Sequence, residues 1–258
     1  MISLTDNMAA QIEGAHHKAD SSSHPVRYLA AAMLAGLYIG VADVFMFTAA
    51  GPLNAVHNPW GPFVGGAVFG IGLILVIFAG SELVTSAMMI LPIGLAKKEI
   101  TAGSALRAFV LMVLGNLLGS MLLGVVVLGS GAMAHGAVYQ MVATVAAAKT
   151  HKTWIALICR GILCNVLVCT AVWAQSRAQN EVAKMILMAW CMALFVTSGF
   201  EHVVANMTTL SLGLFHGVPG VTVWGALYNL TFVLLGNCIG GALFVALPFL
   251  ITVTKDEH

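Results

Sequence analysis

Two short polar stretches interrupt long apolar runs of this chain: Gly80-Ser81-Glu82-Leu83-Val84 and Gly199-Phe200-Glu201-His202-Val203. Each places a carboxylate where lipid would otherwise surround it, and the second adds an imidazole. Histidine is the side chain best able to gain or lose a proton near neutral pH. Glu201-His202 is therefore suited to hold, orient or protonate an anion. Eight of the nine histidines (His16, His17, His24, His57, His135, His151, His216 and His258) fall in loops or tails, and His202 alone sits at a break. Each break is followed at nearly equal distance by Gly-Asn-x-x-Gly, from Gly115-Asn116 to Gly119 and from Gly236-Asn237 to Gly240. Paired interruptions in corresponding apolar segments point to a membrane transport site. They are tolerated only where protein or a water-filled path covers the freed backbone groups.

The elements that must position these residues follow from composition. The chain has 258 residues, of which 60% are hydrophobic and 8% charged. Soluble domains carry about 25% charged residues, and a mean hydropathy of +0.96 places much of this chain in lipid. A net charge of +1 without a basic run excludes a nucleic-acid partner. The five cysteines (Cys159, Cys164, Cys169, Cys191 and Cys238) lie in apolar runs without C-x-x-C spacing. They are expected to pack inertly, with no disulfide frame, metal or cofactor.

A membrane span needs about 20 mostly apolar residues. The candidate runs are Tyr28–Ala50, Phe63–Gly94, Leu106–Leu128, Thr153–Ala174, Lys184–Leu214 and Val223–Val253. The second and fifth carry the breaks and read as two half-helices around a short loop. The expected fold is an all-α membrane protein of six transmembrane helices in an inverted 3+3 repeat, with broken second and fifth helices. Its expected parts are a cytoplasmic segment (1–27), one transmembrane channel domain (28–253, repeats about 28–128 and 153–253) and a short cytoplasmic tail (254–258). The polar N-terminal segment lacks a signal-peptide core; an amphipathic helix lying on the membrane is its expected ordered form. Lys18, Arg27, Lys97, Lys98, Arg107, Arg177, Lys184 and Lys255 fall on one side, and only Lys149 and Lys152 on the other. This bias puts both termini inside. Trp60, Trp154 and Trp224 then fall at the outer interface and Trp173 at the inner one.

Away from the ends of the apolar runs, the formal charges are Asp43, Glu82, Arg160 and Glu201. Such charges mark function or a compensating partner. Glu82 and Glu201 are expected to accept hydrogen bonds from backbone N–H groups freed by the breaks. Arg160 is expected to pair with a carboxylate, Glu201 ahead of Glu82, or else to snorkel outward. Asp43 reads as a vestibule or subunit-contact residue. The glycine faces around Gly36, Gly115 and Gly236 read as close helix packing.

The block Gly199-Phe200-Glu201-His202-Val203-Val204-Ala205-Asn206-Met207 resembles the signature of the formate–nitrite transporter family. Gly80-Ser81-Glu82-Leu83-Val84-Thr85-Ser86 and Gly161-Ile162-Leu163-Cys164-Asn165-Val166-Leu167-Val168-Cys169 resemble it too. The likeness runs from about Tyr28 to about Phe249. It implies an aquaporin-like protomer, a homopentamer with one pore per protomer, and passage of small monovalent anions such as nitrite, formate and hydrosulfide, with protons. By that resemblance the selectivity residues are His202, Thr85, Asn165 and Glu201. The outer constriction is Phe69, Leu73 and Phe195, the inner one Leu83 and Val168, and Lys149 is the vestibule lysine. Glu82 in its break, Arg160 before Gly161 and the Ala205-Asn206-Met207-Thr208 continuation look more like the nitrite branch. Val84 stands where many members carry Phe. The implied location is a bacterial inner membrane, and the implied role is transport rather than catalysis. A membrane electron carrier, the competing class, would need paired axial histidines, and only His202 lies within the spans.

Overall fold

The computed structural model describes residues 1–253. The expected tail, 254–258, lies outside the described residues. The chain opens with α1 (Leu4–Ser21), started by the Ser3 hydroxyl accepting from the Asp6 N–H, and continues into the long α2 (Pro25–Ala55). The second apolar run is α3 (Gly61–Phe69), α4 (Ile71–Phe78) and α5 (Val84–Ala96), with the first break between α4 and α5. Then come α6 (Ala102–Ser130), α7 (Gly136–Thr150) and α8 (Trp154–Arg177). The fifth run is α9 (Glu181–Thr197) and α10 (Val203–Phe215), separated by the second break. Last come α11 (Val223–Gly241), a π-helical turn over Ala242–Ala246, and α12 (Leu247–Thr252).

Pro25–Ala55, Gly61–Phe78, Ala102–Ser130, Trp154–Arg177 and Val223–Thr252 are each long and apolar enough to cross a membrane. The broken pair α9 and α10 supplies the remaining span of a six-helix, multi-pass fold. Both breaks begin in the same way. Gly80 (φ +71°) and Gly199 (φ +68°) end the incoming half-helix in the left-handed region, which glycine enters without a Cβ penalty.

Glycine also sets how close the helices come. A Cβ on Gly119 would collide with the Met33 carbonyl of α2, and one on Gly236 with the Ile158 carbonyl of α8. These approaches lock α6 onto α2 and α11 onto α8. Each locked pair frames one break.

The N-terminal segment is helical and packs on the bundle. Its buried residues, including Asn7, Met8, Ala15 and Lys18, turn toward the helical bundle, where α1 packs on α5, α6 and α8. The Asn7 amide donates to the Trp173 carbonyl (3.1 Å) and Ile2 N–H to the Arg177 carbonyl (3.0 Å). One expectation, that for Trp173, is corrected: it is not an interfacial belt residue. It is buried and stacks on Phe249 with ring centroids 3.8 Å apart. Trp60, Trp154 and Trp224 are exposed, as belt residues are.

Candidate functional site

The freed backbone of each break is held by an asparagine, not by the break's carboxylate. The Val84 N–H donates to Asn116 Oδ1 (3.0 Å), and Asn116 Nδ2 donates to the carbonyls of Ala32 (2.8 Å) and Glu82 (2.9 Å). In the second break the Val203 N–H donates to Asn237 Oδ1 (2.9 Å), and Asn237 Nδ2 donates to the carbonyls of Gly161 (2.8 Å) and Glu201 (3.0 Å). Each carboxylate residue adds one backbone bond to the neighbouring helix, Glu82 N–H to Ala31 and Glu201 N–H to Arg160, both 3.2 Å. Both asparagines are fully buried. The expected role of Glu82 and Glu201 as acceptors for freed N–H groups is thus corrected. A side-chain amide carries a donor and an acceptor at once, and a break exposes both kinds of group.

The carboxylates take lysines instead. Glu201 accepts from Lys149 (2.7 Å) and from the Asn206 amide (2.7 Å), and lies 3.1 Å from Lys152. Lys149 also donates to Asn206 Oδ1 (2.7 Å). Glu82 pairs with Lys18 and accepts from the Tyr28 hydroxyl (3.3 Å). Both lysines come from the last turn of a preceding helix, α1 for Lys18 and α7 for Lys149, where the helix dipole favours a cation. Burial pulls the Lys152 ammonium below the usual lysine range, and the Glu201 carboxylate pulls it back up.

Arg160 is not the partner of Glu201 or of Glu82. Its guanidinium is exposed and donates to the Gly199 carbonyl (2.7 Å), satisfying the C-terminal end of α9. It is exposed, as the snorkelling alternative requires.

His202 is the N-cap of α10: its Nδ1 accepts from the Ala205 N–H (3.2 Å). With Nδ1 engaged as acceptor, the ring proton sits on Nε2, which lies 2.9 Å from Thr85 Oγ1. This contact joins the two halves. Phe195 stacks on His202 with centroids 5.8 Å apart, and Phe69 meets Phe195 edge-on at 5.4 Å. Asn165 donates to the carbonyls of Thr85 (3.2 Å) and Asn237 (2.8 Å), while its Oδ1 is buried without a partner. Leu73, Leu83 and Val168 are buried in the same apolar core.

A cavity of about 320 Å³ opens above this layer. Phe69, Phe195 and His202 line its floor, and Lys149, Lys152, Arg160, Glu201 and Asp43 bring charge to it. Asp43 is therefore a vestibule residue, buried and accepting from Thr209 Oγ1 (3.0 Å). Sequence reasoning missed the roles of Asn116, Asn237, Lys18 and Tyr28, and took α7 for a connecting loop. Only the recurrence of Gly-Asn-x-x-Gly in both halves signalled the asparagines.

Facing half-helices, a cationic vestibule and a histidine set in an aromatic floor define a membrane transport protein of the broken-helix type. The family model for the formate/nitrite transporters matches residues 5–251. The chain is 36% identical over 239 residues to the nitrite transporter NirC of Salmonella typhimurium, covering 92% of this chain and 87% of that protein. It superposes on an FNT family ion channel with a TM-score of 0.91 at 34% identity, covering 97% of this chain and 100% of the other. It also superposes on a pentameric formate channel with formate bound, with a TM-score of 0.78 at 27% identity, covering 89% and 97%. This chain belongs to the formate/nitrite transporter family.

Proposed function

We propose that the protein carries nitrite, and with it formate and related small monovalent weak-acid anions, through a pore in each protomer of a homopentamer. The observation that carries this reading is the order of groups below the vestibule. Cationic side chains line the cavity, Phe69, Phe195 and His202 form its floor, and the Nε2–H of His202 points on to Thr85. Positive charge concentrates anions at the mouth. A bare anion is costly in an apolar slit, and far more so if divalent. The slit of Phe69, Leu73 and Phe195 therefore admits small monoanions able to take up a proton. His202 and Thr85 receive them between that slit and the inner one at Leu83 and Val168.

Because Nδ1 of His202 is occupied by the Ala205 N–H, the imidazole acts as a hydrogen-bond donor. The proton that neutralises the passing anion then comes from water. Lys149 acts through Glu201 and Asn206, with Asn165 steadying the Thr85 backbone. Nitrite is placed first because the break carries Glu82 and because of the likeness to a nitrite transporter; the formate-bound neighbour supports formate as the second substrate. The pentameric neighbour supports a homopentamer. The lysine and arginine bias supports cytoplasmic termini, and the family a bacterial inner membrane.

The test is flux into liposomes holding the purified protein, challenged separately with nitrite, formate, hydrosulfide, lactate and sulfate at two external pH values. Nitrite and formate are expected to enter fastest and lactate more slowly, with sulfate excluded. Formate or hydrosulfide entering readily while nitrite neither permeates nor competes would reject the nitrite assignment.

A further inference from the structure

Two carboxylates face the outer vestibule, and they are held in opposite ways. Glu201 is neutralised by Lys149 and Lys152 and by the Asn206 amide. Asp43 lies on α2 across the cavity, is buried, and takes part in none of the ion pairs formed among the described residues. Its hydrogen bond comes from the Thr209 hydroxyl of α10. Nothing else in the transport reading uses it. An acidic group in the entry to an anion path opposes the task of that path.

We propose that Asp43 is a specificity-determining residue of the vestibule, whose proton sets the charge with which the mouth collects anions. This role rests on the transport reading. The other charged or titratable groups lining the cavity are Lys149 from α7, Lys152 from the following turn, Arg160 from α8, and Glu201 and His202 from the second break. The three cations outnumber Glu201 by two positive charges. An ionised Asp43 halves that excess, and a proton on Asp43 restores it. The unpaired carboxylate is costly where it lies, so a proton there relieves the burial as well as the repulsion of an entering anion. Acid outside thus opens the electrostatic mouth at the same time as it supplies the proton that a weak-acid anion needs.

The sign is definite. As external pH rises, Asp43 ionises and anion capture falls; Asp43→Asn fixes the uncharged state. The experiment measures initial nitrite and formate uptake into liposomes across external pH from about 5 to about 8, comparing Asp43→Asn with wild type at each pH. The ratio of variant to wild type is expected near one at the acid end. At the alkaline end it should rise to about three- to tenfold, as one unit charge near a wet cavity predicts. A second variant, Thr209→Val, keeps the carboxyl but removes the hydroxyl that stabilises its ionised form. Its alkaline fall in uptake is expected at higher pH than in wild type.

A conducting wild type with an Asp43→Asn ratio that is flat across pH, or below one at the alkaline end, overturns the role of Asp43 and leaves the transport reading intact. A wild type that moves no anion at any pH overturns both. Should Asp43→Asn fail to assemble on size-exclusion chromatography, Thr209→Val decides: a shifted profile supports the proposal and an unshifted one overturns it.

Discussion

The two breaks are the same scaffold carrying different chemistry. In both, a left-handed glycine ends one half-helix, an asparagine from the next span clamps the loop, and a glutamate pairs with a lysine from the helix before the repeat. The positions after the glutamate differ. Leu83 in the first break corresponds to His202 in the second, Thr85 to Val204, and Ala87 to Asn206. The first break therefore contributes an apolar lip and a hydroxyl, and the second an imidazole and an extra amide. Their one polar meeting, Thr85 with His202, exists because the halves are not equivalent. Scaffold groups that satisfy backbone are duplicated, while the imidazole and the hydroxyl it meets occur once. On the proposed transport reading, a single pore between two half-sites needs one donor pair, whereas each half needs its own backbone repair.

The largest test of this equivalence is the clamp. Asn116→Ala and Asn237→Ala each remove three hydrogen bonds and orphan two buried backbone groups of the break, at about 1–3 kcal/mol per group. Both are expected to lower the thermal midpoint in detergent severely and by similar amounts. If one variant is tolerated and the other is not, the breaks are held differently.

The next test concerns the lysines. Removing one member of a buried pair costs about 3–5 kcal/mol. Lys18→Met should reach that range, because Glu82 keeps only the Tyr28 hydroxyl and, at 3.8 Å, the exposed imidazole of His17. Lys149→Met should cost less, because Glu201 keeps Lys152 and Asn206. Adding Glu82→Gln to Lys18→Met should recover part of the loss. Denaturation of the four proteins would show the order, and an equal cost at both lysines would contradict it.

His202→Asn separates chemistry from scaffold. Asparagine is a good N-cap, so the variant should keep the start of α10 and its assembly. Nitrite flux should fall about 10- to 100-fold, the worth of one hydrogen bond to a charged group. Unchanged flux at every pH would reduce His202 to a packing residue. The smallest effect belongs to Arg160. Its side chain is exposed, so Arg160→Met should change stability by about 0.5 kcal/mol. A loss several times larger would restore a buried partner for it.

The limits of sequence reading lie at particular residues. The broken spans and their opposed orientation were legible because an apolar run of membrane length interrupted by glycine and glutamate has few physical solutions. The motifs around His202 were distinctive enough to signal the family. The expected pairing of Arg160 fails because it rests on Arg160 being the only fixed positive charge within the spans, whereas Glu201 is reached by Lys149, 52 positions away along the chain. Lys18 looked like a surface charge on a polar segment. It becomes buried only when α1 folds under the bundle to meet Glu82, 64 positions on.

By itself, the sequence determined the local events: where helices begin and break, which faces must meet lipid, and which residue types stand at the breaks. Those follow from hydropathy, glycine and capping chemistry within a few turns of chain. Tertiary structure alone decided which polar group satisfies which. Asn116 and Asn237 became clamps, Lys18 and Lys149 became counter-ions, and Asp43 came to stand without one among the described residues, beside a cavity that Lys149, Lys152 and Arg160 make positive. A buried polar group must find a partner, but nothing in its own neighbourhood of sequence says which. That choice is made when distant helices close to glycine contact and only certain atoms remain within hydrogen-bonding reach.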